Sequence, residues 1–126
     1  MKSAHDLVAE AKQSIKEISV AEADAHIVNA DVLIDVREPD EFRQGHLPGA
    51  INIPRGMLEF SVSSNPDYEA RDTNILLYCK TSGRGALAAK SLGDMGYLHV
   101  TSIDGGYDAW VNAGKPVVQP KSIDFE

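Results

Sequence analysis

The most constraining feature of this sequence is the junction around residue 79. Ile75-Leu76-Leu77-Tyr78 is apolar throughout, and Cys79-Lys80-Thr81-Ser82-Gly83 follows without a break. A short unbroken apolar run suits a strand buried on both faces, the habit of a central parallel strand. From Arg84 to Met95 the pattern turns helical: Ala88, Leu92 and Met95 share a face, and Gly96 can cap the end. A buried strand that passes through a short polar loop into a helix belongs to a βαβ unit. In open sheets of that kind, ligands bind at the carboxyl ends of the strands. Cys79 stands at such an end.

The rest of the chain alternates in the same way. Leu7, Val8, Ala11, Ile15 and Ile18 fall near helical spacing and predict an amphipathic helix over residues 4–18. Its narrow apolar face, without aromatic anchors, suits packing on a domain edge better than a membrane surface. Ser19-Val20-Ala21-Glu22 matches a capping box and starts a second helix. Val32-Leu33-Ile34 reads as a buried strand. Pro39 suits the first turn of a short helix that Gly45 stops. Ala50 to Ile53 reads as a strand, Gly56 to Phe60 as a helical turn, and residues 61–74 as a polar loop. Val100 to Ile103 is another strand, and Gly105-Gly106 opens a short helix with Tyr107 and Trp110. The pattern predicts an α/β fold with a mainly parallel sheet. Its divisions are an N-terminal helix (1–18), one domain (19–118) and a loose tail (119–126).

Composition enters as exclusion. A formal net charge of −7 argues against a nucleic-acid partner, which needs clustered Lys and Arg, and against an anionic membrane surface. No apolar run reaches the length of a membrane helix, and no apolar leader follows Met1, so a cytoplasmic protein is expected. The single cysteine rules out an intrachain disulfide and a cysteine metal cluster. His5, His26, His46 and His99 lack metal-ligand spacing. A lone cysteine is often a small buried hydrophobe; here the surrounding sequence argues otherwise. Backbone N–H groups of the loop Lys80 to Gly83 can form a nest, and the helix behind it adds partial positive charge. Lys80 and Arg84 add full charges. Such surroundings favour the thiolate and hold an anion in front of it.

Several segments together resemble the rhodanese-homology domain over about residues 19–118. They are Leu33-Ile34-Asp35-Val36-Arg37-Glu38-Pro39-Asp40-Glu41-Phe42, Gly45-His46-Leu47-Pro48-Gly49-Ala50-Ile51-Asn52-Ile53-Pro54 and Tyr78-Cys79 through Arg84. Met95-Gly96-Tyr97 and Asp104-Gly105-Gly106-Tyr107 with Trp110 complete the set. The resemblance implies a twisted parallel sheet with helices on both faces. It implies that Cys79 accepts a sulfane sulfur from an anionic donor such as thiosulfate and passes it to cyanide, a small thiol or a protein acceptor. It implies that the loop amides of Thr81, Ser82, Gly83 and Arg84 cradle the persulfide, that Lys80 and Arg84 hold the donor, and that no metal or organic cofactor is needed. The loop departs from the family pattern twice. Ser82 stands where Gly is common, which predicts strain if that position needs φ > 0. Gly85 stands where Ser is common, which removes a hydroxyl donor.

Two other functions use similar parts. A cysteine phosphatase or arsenate reductase also pairs a thiolate with an anion loop and an Arg, but related phosphatase loops have one more residue between them. The four residues between Cys79 and Arg84 make a tighter ring, suited to one sulfur atom. A non-turnover sulfur carrier or partner-binding module is the other alternative. Asp35, Arg37 and Glu41 read mainly as a group that fixes loop geometry, His46 as a hydrogen-bonded turn residue, and Tyr107 and Trp110 as core.

Overall fold

A computed structural model of the chain describes residues 1–120. In chain order it forms α1 (Ala4–Lys12), β1 (Lys16–Ile18), α2 (Val20–Asn29), β2 (Val32–Asp35) and α3 (Pro39–Gln44). Then come β3 (Ile51–Asn52), a 3-10 turn (Arg55–Met57), α4 (Leu58–Ser64), β4 (Asn74–Tyr78), α5 (Gly83–Asp94), β5 (His99–Ile103) and α6 (Gly106–Asn112). The five strands make one sheet in the order β1-β5-β4-β2-β3, and every pairing is parallel. The α/β architecture expected from the alternating pattern is the one observed. Of the expected tail (119–126), residues 121–126 lie outside the described residues, while Gln119 Nε2 donates to the Gln44 carbonyl at 3.1 Å; just before it, Val118 forms an antiparallel bridge with His46.

β4 sits at the centre and explains its own sequence. Ile75 and Leu77 point to one face, where Val32, Ile34, Val62, Ala88 and Leu92 pack. Leu76 and Tyr78 point to the other, with Ile18, Ala23, Leu33, Ile103 and Trp110. Two layers of helices therefore need apolar residues at every position from Ile75 to Tyr78. Among the described residues, no helix is long and apolar enough to cross a membrane.

Two elements differ from the sequence-based expectation. The N-terminal helix ends at Lys12, and residues 16–18 pair with β5 as an edge strand in register with Thr101–Ile103. Ile15 and Ile18 fit a helical stripe, yet the open edge of β5 takes this backbone, an override of local pattern by sheet pairing. α1 itself packs along α5, and Lys12 ties the two-part segment together by bonding Glu17 at 2.8 Å and Asp104 at 3.2 Å. α4 also runs further than expected, to Ser64. The Ser63 and Ser64 hydroxyls bond the carbonyls four residues back, and Val62 is fully buried, so residues that favour turns are held helical by packing. At α2 the capping box is present: the Glu22 carboxylate accepts from the Ser19 amide and hydroxyl.

Leu77 is fully buried between β2, β5 and α5. Leu77→Ala is expected to cost about 3 kcal/mol. In urea unfolding this appears as a lower midpoint at an unchanged slope.

Candidate active site

Cys79 is the first residue after β4, and it continues the alternation of that strand. Its side chain falls on the α5 face with Ile75 and Leu77, and it is 1% exposed. The helix that follows leaves no room between itself and the sulfur except at a glycine. A Cβ on Gly85 would lie 3.6 Å from Cys79 Sγ and 3.6 Å from Cys79 N, so the first turn of α5 passes in van der Waals contact with the thiol.

The loop is held from below by α6. Tyr107 N donates to the Cys79 carbonyl at 2.8 Å, and Asp108 N donates to the Lys80 carbonyl at 3.0 Å. This approach demands glycine at position 106, where φ is +55° and a Cβ would collide with the carbonyls of Cys79 and Thr81. With those carbonyls engaged on the α6 side, the amides of Lys80 through Gly85 have no acceptor among the described residues. They include the first-turn amides of a twelve-residue helix, which carry partial positive charge. Ser82 has φ −144°, and no non-glycine among the described residues has positive φ, so the condition for strain at Ser82 is not met.

The two cations of the loop are not open. Arg84 grips Glu41 of α3 with both prongs, Nη1 to Oε1 at 2.7 Å and Nη2 to Oε2 at 3.1 Å. That hydrogen bonding pulls Glu41 down to about 2, against the opposing effect of burial and with help from the Glu38 amide. It also holds Arg84 above its ordinary range. Lys80 Nζ pairs with Asp108 of α6 at 2.7 Å on the exposed side. Between these pairs lies a hollow of about 230 Å³ lined by Arg37, Glu41, Gln44, Lys80, Tyr107 and Asp108.

Behind the hollow, Asp35 and Arg37 form a buried two-pronged ion pair, Nε to Oδ1 at 3.0 Å and Nη2 to Oδ2 at 2.8 Å. Arg37 also donates to the Gly45 carbonyl at 2.6 Å and lies 4.2 Å over the Tyr107 ring. Burial opposes the Arg37 charge, but the bonds and field of Asp35 outweigh it and keep the guanidinium above its usual range. Burial, with Asp35 adding to it, also keeps the Tyr78 phenol protonated well past its usual range, and the Tyr78 oxygen accepts from Leu47 N at 3.1 Å. This cluster ties the end of β2 to the turn after α3, and so fixes where Glu41 stands. His46 is buried, stacked on Phe42 and 3.1 Å from the Phe42 carbonyl through Nδ1, in keeping with a turn residue. Trp110 is core, and its Nε1 donates to the Pro116 carbonyl.

Cys79, Lys80, Thr81, Ser82, Gly83 and Arg84 thus form one continuous cradle, with Thr81 exposed at its tip. The carboxylates that close over it come from 43 and 28 residues away, and no local pattern announces them. A further polar group lies beneath. Ser102 of β5 is fully buried, and its Oγ has no hydrogen-bond partner among the described residues. Leaving such a group unpaired costs about 1–3 kcal/mol. A Cβ on Gly85 would lie 2.9 Å from this oxygen.

Residues 19–113 match the rhodanese-like domain family. Thiosulfate sulfurtransferase 16, chloroplastic, of Arabidopsis thaliana is 35% identical over 119 residues, which is 86% of this chain and 98% of its own length. A sulfurtransferase of Allochromatium vinosum is 32% identical over 71% of this chain and 80% of its own. Among solved structures, a Rhodopseudomonas palustris protein of unknown function, described as a possible tyrosine phosphatase, superposes with a TM-score of 0.84 at 35% identity. That superposition covers 94% of this chain and 96% of that one. The family match runs from the cap of α2 past the end of α6, taking in the Cys79 loop and the glycine turn beneath it, and by this match the chain belongs to the rhodanese-like family.

Proposed function

We propose that the protein is a sulfurtransferase that carries sulfane sulfur on Cys79, taking it from thiosulfate or a related anion and giving it to cyanide or a thiol. Family membership and the names of its relatives support sulfur transfer in general. The observation that carries the finer reading is the row of amides from Lys80 to Gly85, without an acceptor among the described residues, that directly follows the single cysteine. Amides aimed at a small anionic atom stabilise charge without a full cation, as an oxyanion hole does.

In this reaction the Cys79 thiolate attacks the outer sulfur of the donor. A new S–S bond forms, the old one breaks, and sulfite leaves with the electron pair. The acceptor then attacks the outer sulfur of the persulfide, and Cys79 Sγ departs as thiolate. The protein begins and ends in the same state, the mark of double displacement. The donor anion competes with Glu41 for Arg84 and with Asp108 for Lys80, because each cation already holds a carboxylate. Glu41 titrates near 2, so mild acid does not release Arg84.

The phosphatase description of the Rhodopseudomonas palustris neighbour belongs to that protein. Here the ring between Cys79 and Arg84 holds four residues, and Arg84 is turned onto Glu41 rather than left open for a phosphate. Hydrolysis of an aryl phosphate without sulfur transfer would reverse the preference. A carrier differs from an enzyme only in turnover.

Incubation with thiosulfate is expected to add one sulfur to the intact mass, and thiocyanate should form over many turnovers when cyanide is supplied. Both should vanish in Cys79→Ser. If no sulfane donor adds mass to the unsubstituted protein, the persulfide is wrong. Glu41→Gln keeps the acceptor for the Glu38 amide but removes the negative charge that holds Arg84, so KM for thiosulfate should fall about threefold with kcat little changed. Lys80→Ala leaves Asp108 unneutralised and should raise that KM by about the same factor. Steady-state kinetics in which neither KM moves would remove the two ion pairs from donor binding.

A further inference from the structure

We propose that the Ser102 hydroxyl donates a hydrogen bond to the Cys79 sulfur when that sulfur carries charge, filling the place that a side chain at position 85 would otherwise take. Three observations converge. Ser102 is fully buried, and its Oγ lacks a partner among the described residues. Ser102 pairs in register with Leu77, which puts it on the α5 face of the strand beside the one that delivers Cys79. The space that a Cβ on Gly85 would enter touches Ser102 Oγ at 2.9 Å and Cys79 Sγ at 3.6 Å, so oxygen and sulfur border one small gap. A glycine at 85 is what leaves this gap open.

The chemistry explains why the oxygen is unpaired here. A thiol sulfur is a weak acceptor, and a thiolate is a strong one. The oxygen makes no bond to the neutral thiol; rotation of the Ser102 side chain about Cα–Cβ brings the hydroxyl onto the sulfur as charge appears. An interaction that strengthens with charge favours the attacking thiolate. In the second half-reaction, when the acceptor takes the outer sulfur and the electron pair returns to Sγ, it favours the departing thiolate too. The second effect rests on the sulfur-transfer reading; the first rests only on Cys79 ionising.

The two are separated by following the thiolate directly. Cys79 is the sole cysteine, so ultraviolet absorbance of the thiolate against pH, with Cys79→Ser as the blank, reports it alone. The charged groups around the loop, Arg84 with Glu41, Lys80 with Asp108 and Arg37 with Asp35, are the same in every variant compared. Ser102→Ala deletes an oxygen with no partner, so the fold is retained. It should move the titration to higher pH by about one unit, the loss of one hydrogen bond to the charged form. It should also slow persulfide discharge to cyanide about tenfold. Gly85→Ser in the Ser102→Ala background returns a hydroxyl to the same gap and should move the titration back. A Ser102→Ala titration that overlays the unsubstituted one overturns the proposal. A shifted titration in a protein that accepts no sulfur keeps the hydroxyl–thiolate bond and removes the sulfur-transfer reading instead.

Discussion

The site hangs on two hydrogen bonds, from the amides of Tyr107 and Asp108 to the carbonyls of Cys79 and Lys80. A loop that must offer its N–H groups on one side has to dispose of its C=O groups on the other, because buried carbonyls need donors. α6 supplies those donors. It reaches them only because Gly106 adopts φ +55° without a side chain and Gly105 turns left-handed before it. The Gly105-Gly106 pair is therefore part of the Cys79 cradle, although it lies more than a strand away in sequence. β5 connects the two features physically: it pairs with β4 on one edge and delivers the glycine turn at its end.

The parts of this arrangement that are local were legible in the sequence. A strand of four apolar residues, a polar loop and a helix with Ala88, Leu92 and Met95 on one face state their structure in their own pattern, and β4 and α5 follow within a residue. What was illegible depended on distant partners. Residues 16–18 carry no strand signature strong enough to separate them from a helical stripe, because a three-residue edge strand is defined by the neighbour it pairs with. Ser63 and Ser64 resemble a turn until their hydroxyls find carbonyls inside α4. Lys80 and Arg84 look like free cations until α3 and α6 bring Glu41 and Asp108 to them. The question left open at Ser82, strain if that position needed positive φ, is decided by the loop itself, which closes with Ser82 at φ −144°.

Electrostatics gives the site its character. The two rim cations and the two rim carboxylates cancel, and the chain as a whole is at −7. Long-range steering of a dianion is therefore absent, and beyond about 8 Å salt would screen it in any case. What remains attractive in the proposed reaction is short-ranged: the loop amides from Lys80 to Gly85, without an acceptor among the described residues, beside a sulfur that is itself 1% exposed. A buried charge is tolerable only when such groups meet it. In the proposed reaction, selection then rests on what can reach the sulfur rather than on what accumulates near it. An anion that enters must first replace a carboxylate on Arg84 or Lys80, and that exchange is close to neutral because one ion pair is traded for another. The trade leaves donor binding weak while the amides keep their preference for charge on a single sulfur atom. A phosphate would need the opposite arrangement, an open guanidinium and a wider ring, and the geometry at Arg84 offers neither.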